Sequence, residues 1–162
     1  MILDPSQFRE YINHFNALDE EDPPGHISNR DAWAFLESNI PFFESSEKNF
    51  ERIWYFRWWT FRKHIYNTPE GYVITEFLPP VPWAGKYNTI SCALGHHFNE
   101  GRWLHNTQIL QDYASFWLNN GDHLRVYSNW IAKSLYDLYC ITLDKTSLPT
   151  FLPKLIANYS KW

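Results

Sequence analysis

Trp54-Tyr55-Phe56-Arg57-Trp58-Trp59-Thr60-Phe61-Arg62-Lys63-His64 is the stretch whose reading decides the fold. Phe50, Ile53, Trp54, Trp58, Phe61 and Ile65 recur at the spacing of one helix face, and Arg57 falls inside that stripe. Tyr55, Trp59, Arg62 and Tyr66 occupy a second face. Ser45 and Ser46 supply cap chemistry and Glu47 suits a first turn, so a helix is predicted from there to about Asn67. A helix that is aromatic on both faces is buried on both sides or lines a cavity, and arginines within it need acceptors. Thr68-Pro69-Glu70-Gly71 then ends it with turn residues.

Outward from this helix the chain reads as further helices. A first helix over 6–18 carries Phe8, Tyr11, Ile12 and Phe15, with cap chemistry from Asp4-Pro5-Ser6. The acidic, Pro-Pro-Gly-containing run 19–28 is a loop, and a short helix follows to about Ser38. Residues 72–77 form a short strand, and 78–85, with Pro79, Pro80 and Pro82, a stiff extended loop. Helices are predicted over 86–100, 104–119 and 124–143, and a last one from Ser147 into Trp162. Short loops between successive helices favour antiparallel hairpins. The fold class is therefore all-α: stacked antiparallel helical hairpins with one irregular proline-rich loop, as a single helical domain over 1–162. The apolar stripe is still strong at Tyr159 and Trp162, which leaves one face uncovered. The chain is expected to be a portion of a larger helical domain, or to pair with another chain.

Composition narrows the function. The chain has 162 residues, a net charge of −4 and 44% hydrophobic residues, enough apolar content for a core. Mild acidity without a basic run argues against nucleic acid and anionic membrane as partners, and no apolar run is long enough for a transmembrane helix. Met1-Ile2-Leu3-Asp4-Pro5 lacks the regions of a signal peptide. The expected location is cytoplasmic by default, periplasmic or secreted if a leader was removed. Cys92 and Cys140 form no disulfide framework and read as small buried hydrophobes. The unusual feature is 12 Phe, 10 Tyr and 9 Trp, 19% of the chain; such a surplus packs large helices or lines a ligand groove.

The densest functional candidate is the loop from Thr75 to Asn88, which places Glu76, Trp83, Lys86, Tyr87 and Asn88 together. Prolines hold such a loop rigid, as a preorganised site requires. A sugar, with apolar C–H faces and many hydroxyls, matches an aromatic ring beside amide and charged groups. The alternative is a structural crossover whose rings plug the core. Glu44, Glu76 and Glu100 are the carboxylates available for glycoside hydrolysis, which needs a pair, although spacing does not pair them. Glu76 is the candidate catalytic residue within this chain. His96 and Glu100 share a helix face, but no third ligand is placed, so no metal is expected. Phosphate-binding glycine loops and a Gly-x-Ser-x-Gly elbow are absent, and no cofactor is expected.

The stretch 54–64, the run Glu76-Phe77-Leu78-Pro79-Pro80-Val81-Pro82-Trp83-Ala84-Gly85-Lys86-Tyr87-Asn88, and Gly95-His96-His97 followed by Glu100-Gly101-Arg102-Trp103-Leu104 carry a resemblance. From about Asn39 onward the chain resembles the front part of six-hairpin glycosidase-like proteins, the (α/α)6-barrel glycoside hydrolases of the trehalase and processing-glucosidase type, often bacterial. The resemblance implies a toroid of twelve helices around a central pocket, of which this chain supplies about half, and hydrolysis usually by inversion. It implies Arg57, Trp59, Arg62, Trp83, Lys86, Tyr87 and Asn88 as substrate contacts. The family's acid and base are expected in polypeptide beyond Trp162, and the chain alone is expected to bind rather than cleave. The competing expectation is a noncatalytic helical module that binds carbohydrate or a protein partner.

Overall fold

A computed structural model describes residues 3–20 and 23–162. The expectations that fall on residues 1–2 and on residues 21–22 of the acidic loop lie outside the described residues. The chain is mostly helical. A 3₁₀ turn (Pro5–Phe8), capped by the Asp4 carboxylate on the Ser6 N–H at 3.0 Å, leads into α1 (Arg9–Leu18). α2 (Ala32–Asn39) and α3 (Lys48–His64) follow, then a hairpin of β1 (Ile65–Thr68) and β2 (Gly71–Ile74). After the proline-rich loop come α4 (Leu94–Gly101), α5 (Gln108–Asn119), the single turn α6 (Gly121–Leu124), α7 (Ile131–Thr142) and α8 (Leu148–Tyr159).

α3 packs on α1 and α2, α4 on α7, and α5 on α8; β2 lies against α5 and joins the two groups of helices. The core-facing stripe of α3 is rotated from the predicted one. Phe50 and Ile53 are exposed, whereas Glu51, Tyr55, Trp58, Trp59 and Arg62 are buried. The reason is aromatic packing with α1: Tyr55 stacks on Phe8 and Tyr11, and Trp59 lies beside Phe15. Each fully buried ring contributes roughly 1.5–3 kcal/mol. Most of the polar atoms on this face find partners, as burial demands. Trp59 donates to the Asn16 amide oxygen at 2.7 Å, and Tyr55 donates to the Phe43 carbonyl at 2.8 Å. Arg62, 1% exposed, donates to the Ile27 carbonyl and the Asn29 amide oxygen and lies over the Trp59 ring. Lys63 pairs with Asp19 at 2.6 Å. These two cations fasten the described part of the loop before α2 onto α3.

Four expectations are corrected. The long helix stops at His64, because residues 65–68 pair antiparallel with 71–74 in the register Ile65↔Ile74 to Thr68↔Gly71. Gly71 makes the reversal possible: its φ is +99°, and a Cβ there would lie 2.8 Å from the Asp112 carboxyl carbon. The helix predicted over 86–100 is α-helical only from Leu94 onward, after a 3₁₀ turn at Lys86–Asn88; Tyr87 and Asn88 are left-handed, at φ 57° and 59°, and interrupt it. The helix predicted over 124–143 starts at Ile131, where the Asn129 side chain accepts from the Ile131 N–H at 3.3 Å. Cys92 and Cys140 are exposed free thiols rather than buried hydrophobes: Cys92 sits in the turn before α4, and Cys140 falls on the face of α7 opposite the buried Ser134, Leu135 and Leu138.

Candidate functional site

A cleft of about 300 Å³ opens between the C-terminal half of α3, the end of β2 and α4, at the low end of the range for small-ligand sites. α3 contributes Arg57, Thr60 and His64, the strand end contributes Glu76, and α4 contributes His97 and Glu100. Each arrives by a local rule. Arg57 and His64 lie seven residues apart, two helical turns along one face. His97 and Glu100 are neighbours at i, i+3 on α4. Glu76 is carried by a continuation of the hairpin ladder: the Thr75 N–H donates to the His64 carbonyl at 2.9 Å, and the Glu76 N–H to the Asn88 carbonyl at 3.1 Å.

Two carboxylates therefore face one cleft. Glu100 pairs with Arg57 at 2.6 Å, an exposed ion pair that adds little to stability and can be opened by a ligand. Glu76 meets His97 Nε2 at 3.3 Å, while His97 Nδ1 lies 2.9 Å from the Tyr113 hydroxyl. The tautomer that satisfies both contacts places the proton on Nε2, so that Tyr113 donates to His97 and His97 donates to Glu76. Tyr113 is fully buried on α5, and burial pushes its phenol far above the usual range, so it stays a donor. The hydrogen bond from His97 outweighs partial burial and holds the Glu76 carboxyl below its ordinary range. His64 donates from Nδ1 to the Thr75 carbonyl at 2.8 Å, and burial lowers its pKa, so the ring is neutral at pH 7. The arrangement offers an oriented anion, a guanidinium-paired second carboxylate and the neutral imidazole of His64, a set suited to sugar hydroxyls. A general acid needs a carboxyl pKa raised rather than lowered, and Glu76 has the opposite environment. Among the described residues no three His, Cys, Asp or Glu side chains group as a metal site.

The predicted contacts divide sharply. Arg57 and Glu76 line the cleft. Trp59 and Arg62 turn to the other side of α3 and serve the core against α1 and the preceding loop. Lys86 pairs with Glu70, and Tyr87 donates to the same carboxylate at 3.1 Å, tying the loop to the hairpin turn. Asn88 pins the loop on itself: its amide donates to the Phe77 and Pro79 carbonyls, and its oxygen accepts from the Val81 N–H at 3.2 Å. Trp83 stands outside the cleft on the loop surface. Glu44 lies in the segment before α3 and does not join the cleft. Tyr113 and His64 escaped sequence reasoning. Tyr113 looked like one more apolar position of its helix, and only the fold brings its hydroxyl to His97.

Residues 86–162 match the mannosylglycerate hydrolase MGH1-like glycoside hydrolase domain. That domain has a six-hairpin glycosidase-type fold, in agreement with the resemblance carried by the aromatic motifs. The match includes His97, Glu100 and Tyr113 and starts after Arg57, His64, Glu76 and Trp83. A solved structure of a sialidase superposes on the chain with a TM-score of 0.93 at 36% identity, covering 99% of this chain and 15% of the sialidase. The chain thus spans about 15% of the length of that similar protein. No curated protein matches the chain. The fold is that of a glycoside hydrolase-like domain.

Proposed function

We propose that the cleft between α3, β2 and α4 is one wall of a glycoside hydrolase site, at which Arg57, Glu76 and Glu100 hold a glycan. The observation that carries this reading is the convergence of Glu76 and Glu100 on one cleft, with Glu76 oriented by the Tyr113–His97 pair. The family match and the sialidase likeness support the substrate class. Glu76, held as a carboxylate, suits a base or a hydroxyl acceptor. The proton donor is supplied by further helical polypeptide of the same domain, which also covers the exposed apolar face of α8. The chain by itself binds a glycan without cleaving it.

Calorimetric titration against a panel of oligosaccharides tests the reading. Binding is expected to weaken about tenfold or more, about 1.4 kcal/mol, in Glu76→Gln and in Arg57→Ala. Failure of every glycan to bind, or binding indifferent to both substitutions, contradicts it. An aryl-glycoside assay tests whether catalysis lies within these residues: turnover by the chain that is abolished by Glu76→Gln would place it here. Binding without turnover fits a wall of a larger site or a noncatalytic module.

A further inference from the structure

The supports of Glu76 trace back to two consecutive residues of α5. Its side chain meets His97, and the His97 ring is held in turn by the Tyr113 hydroxyl at 2.9 Å. Its backbone continues the hairpin, and the tip of the hairpin rests on Asp112. Asp112 Oδ2 accepts from the Tyr72 N–H at 3.1 Å, and the chain at Gly71 passes so close that a Cβ there would lie 2.8 Å from the same oxygen. The other oxygen, Oδ1, accepts from the Gln108 amide at 2.6 Å, one turn back along α5. Held from both sides, the carboxylate cannot swing away from the strand. The turn itself does not need Asp112. The Thr68 hydroxyl closes it, donating to the Gly71 carbonyl at 2.7 Å and accepting from the Glu70 N–H at 3.1 Å. Asp112 therefore serves to place the turn rather than to form it.

We propose that Asp112 is a positioning residue for the carboxylate cleft, fixing the backbone of Glu76 to the same turn of α5 that fixes its imidazole partner through Tyr113; its use in binding rests on the glycan reading of that cleft. Two paths carry the position of the hairpin tip to Glu76. The first is the strand: β2 is paired with β1 from Gly71 to Ile74, and the Thr75 N–H extends the ladder to the His64 carbonyl, so the segment moves as one body. The second runs through the loop. Glu70, in the turn, holds Lys86 and Tyr87, and the carbonyl of the next residue, Asn88, accepts the Glu76 N–H at 3.1 Å. A tip released from Asp112 shifts both, whereas His97 stays where α4 and Tyr113 keep it. The contact between Glu76 and His97 is the one that must then change.

The test reads the His97 Nε2–H signal in ¹H–¹⁵N spectra of the full chain, first alone and then with the best binder from a panel of gluco-, manno- and galacto-oligosaccharides. Asp112→Ala is expected to move that signal toward the position of an unbonded imidazole and to weaken oligosaccharide binding about tenfold, the scale of one hydrogen bond to a charged group. Asp112→Asn is expected to restore both: its oxygen accepts from the Tyr72 N–H, and its amide donates to a Gln108 side chain turned over to accept. Gln108→Ala keeps the Tyr72 bond but frees the carboxylate to swing; it is expected to move the signal less, in the same direction, and it decides the question if Asp112→Ala does not fold. An Asp112→Ala chain that melts lower yet keeps the wild-type His97 signal and affinity makes Asp112 a packing residue and overturns the proposal. Failure of Asp112→Asn to restore the signal overturns it too. A wild-type chain that binds no oligosaccharide defeats the glycan reading instead, and the His97 signal of the chain alone then decides whether Asp112 places Glu76.

Discussion

Arg62 and His64 sit two residues apart near the end of α3 and face opposite fates. The resemblance implies Arg62 as a substrate contact, and a guanidinium in an aromatic helix needs acceptors in any case. The acceptors are the Ile27 carbonyl and the Asn29 side chain, contributed by a loop whose position no local pattern announces. Arg57, five residues before Arg62, has Glu100 as a partner and stays on the surface, so a ligand can compete for it. His64 yields a pH prediction. Burial lowers its pKa below the ordinary value of 6.5, as it does for His26. A depressed folded pKa means the native state resists protonation, so the stability these rings contribute is complete above pH 6.5 and is lost as pH falls toward their folded values. The melting temperature is expected to fall between pH 7 and pH 5, by about 2–4 °C for each kcal/mol lost. His64→Asn, which keeps a donor near the Nδ1 position, is expected to flatten that slope. A slope identical to that of the wild type contradicts the assignment.

At the scale of elements, what was legible followed from periodicity, and what was not followed from the interruptions. Helices form around Phe15, Tyr55, Tyr113 and Leu135, where apolar residues recur every three or four positions, although the ends of the last three differ from the predicted ones. Ile65 to Asn67 keep that period and nevertheless form a strand. The decisive features are the Pro69-Glu70-Gly71 turn and the pairing partner beyond it, and a helical window counts neither. Residues 86–93 likewise carry a helical spacing that left-handed Tyr87 and Asn88 break. Asn88 can hold that conformation because its side chain bonds the loop it starts from. The proline-rich loop therefore depends on one amide more than on its prolines. Asn88→Ala is expected to open the segment 77–83 to limited proteolysis many-fold faster than in the wild type, while the melting temperature falls only modestly, since the helical core does not touch that amide. Unchanged cleavage would show that the prolines alone hold the loop.

On the scale of the whole molecule, the structure separates two surfaces that one resemblance had merged. The carboxylate cleft draws on α3, β2 and α4, and a separate pocket lined by Trp83, Trp117 and His123 draws on the proline-rich loop and the segment around α6. Of the candidate site, Arg57, Glu76 and the Glu100 motif were visible as charged residues set among rings, and only folding brings Tyr113 and His97 behind Glu76. Leu152, Ile156 and Tyr159 of α8 are exposed. The most direct measurement of the central claim is the side-chain ¹⁵N spectrum of His64 and His97 during titration with a bound oligosaccharide. Both imidazole signals are predicted to shift together and saturably, and to stop responding in Arg57→Ala. Glycan binding that leaves both imidazoles unmoved would contradict the account.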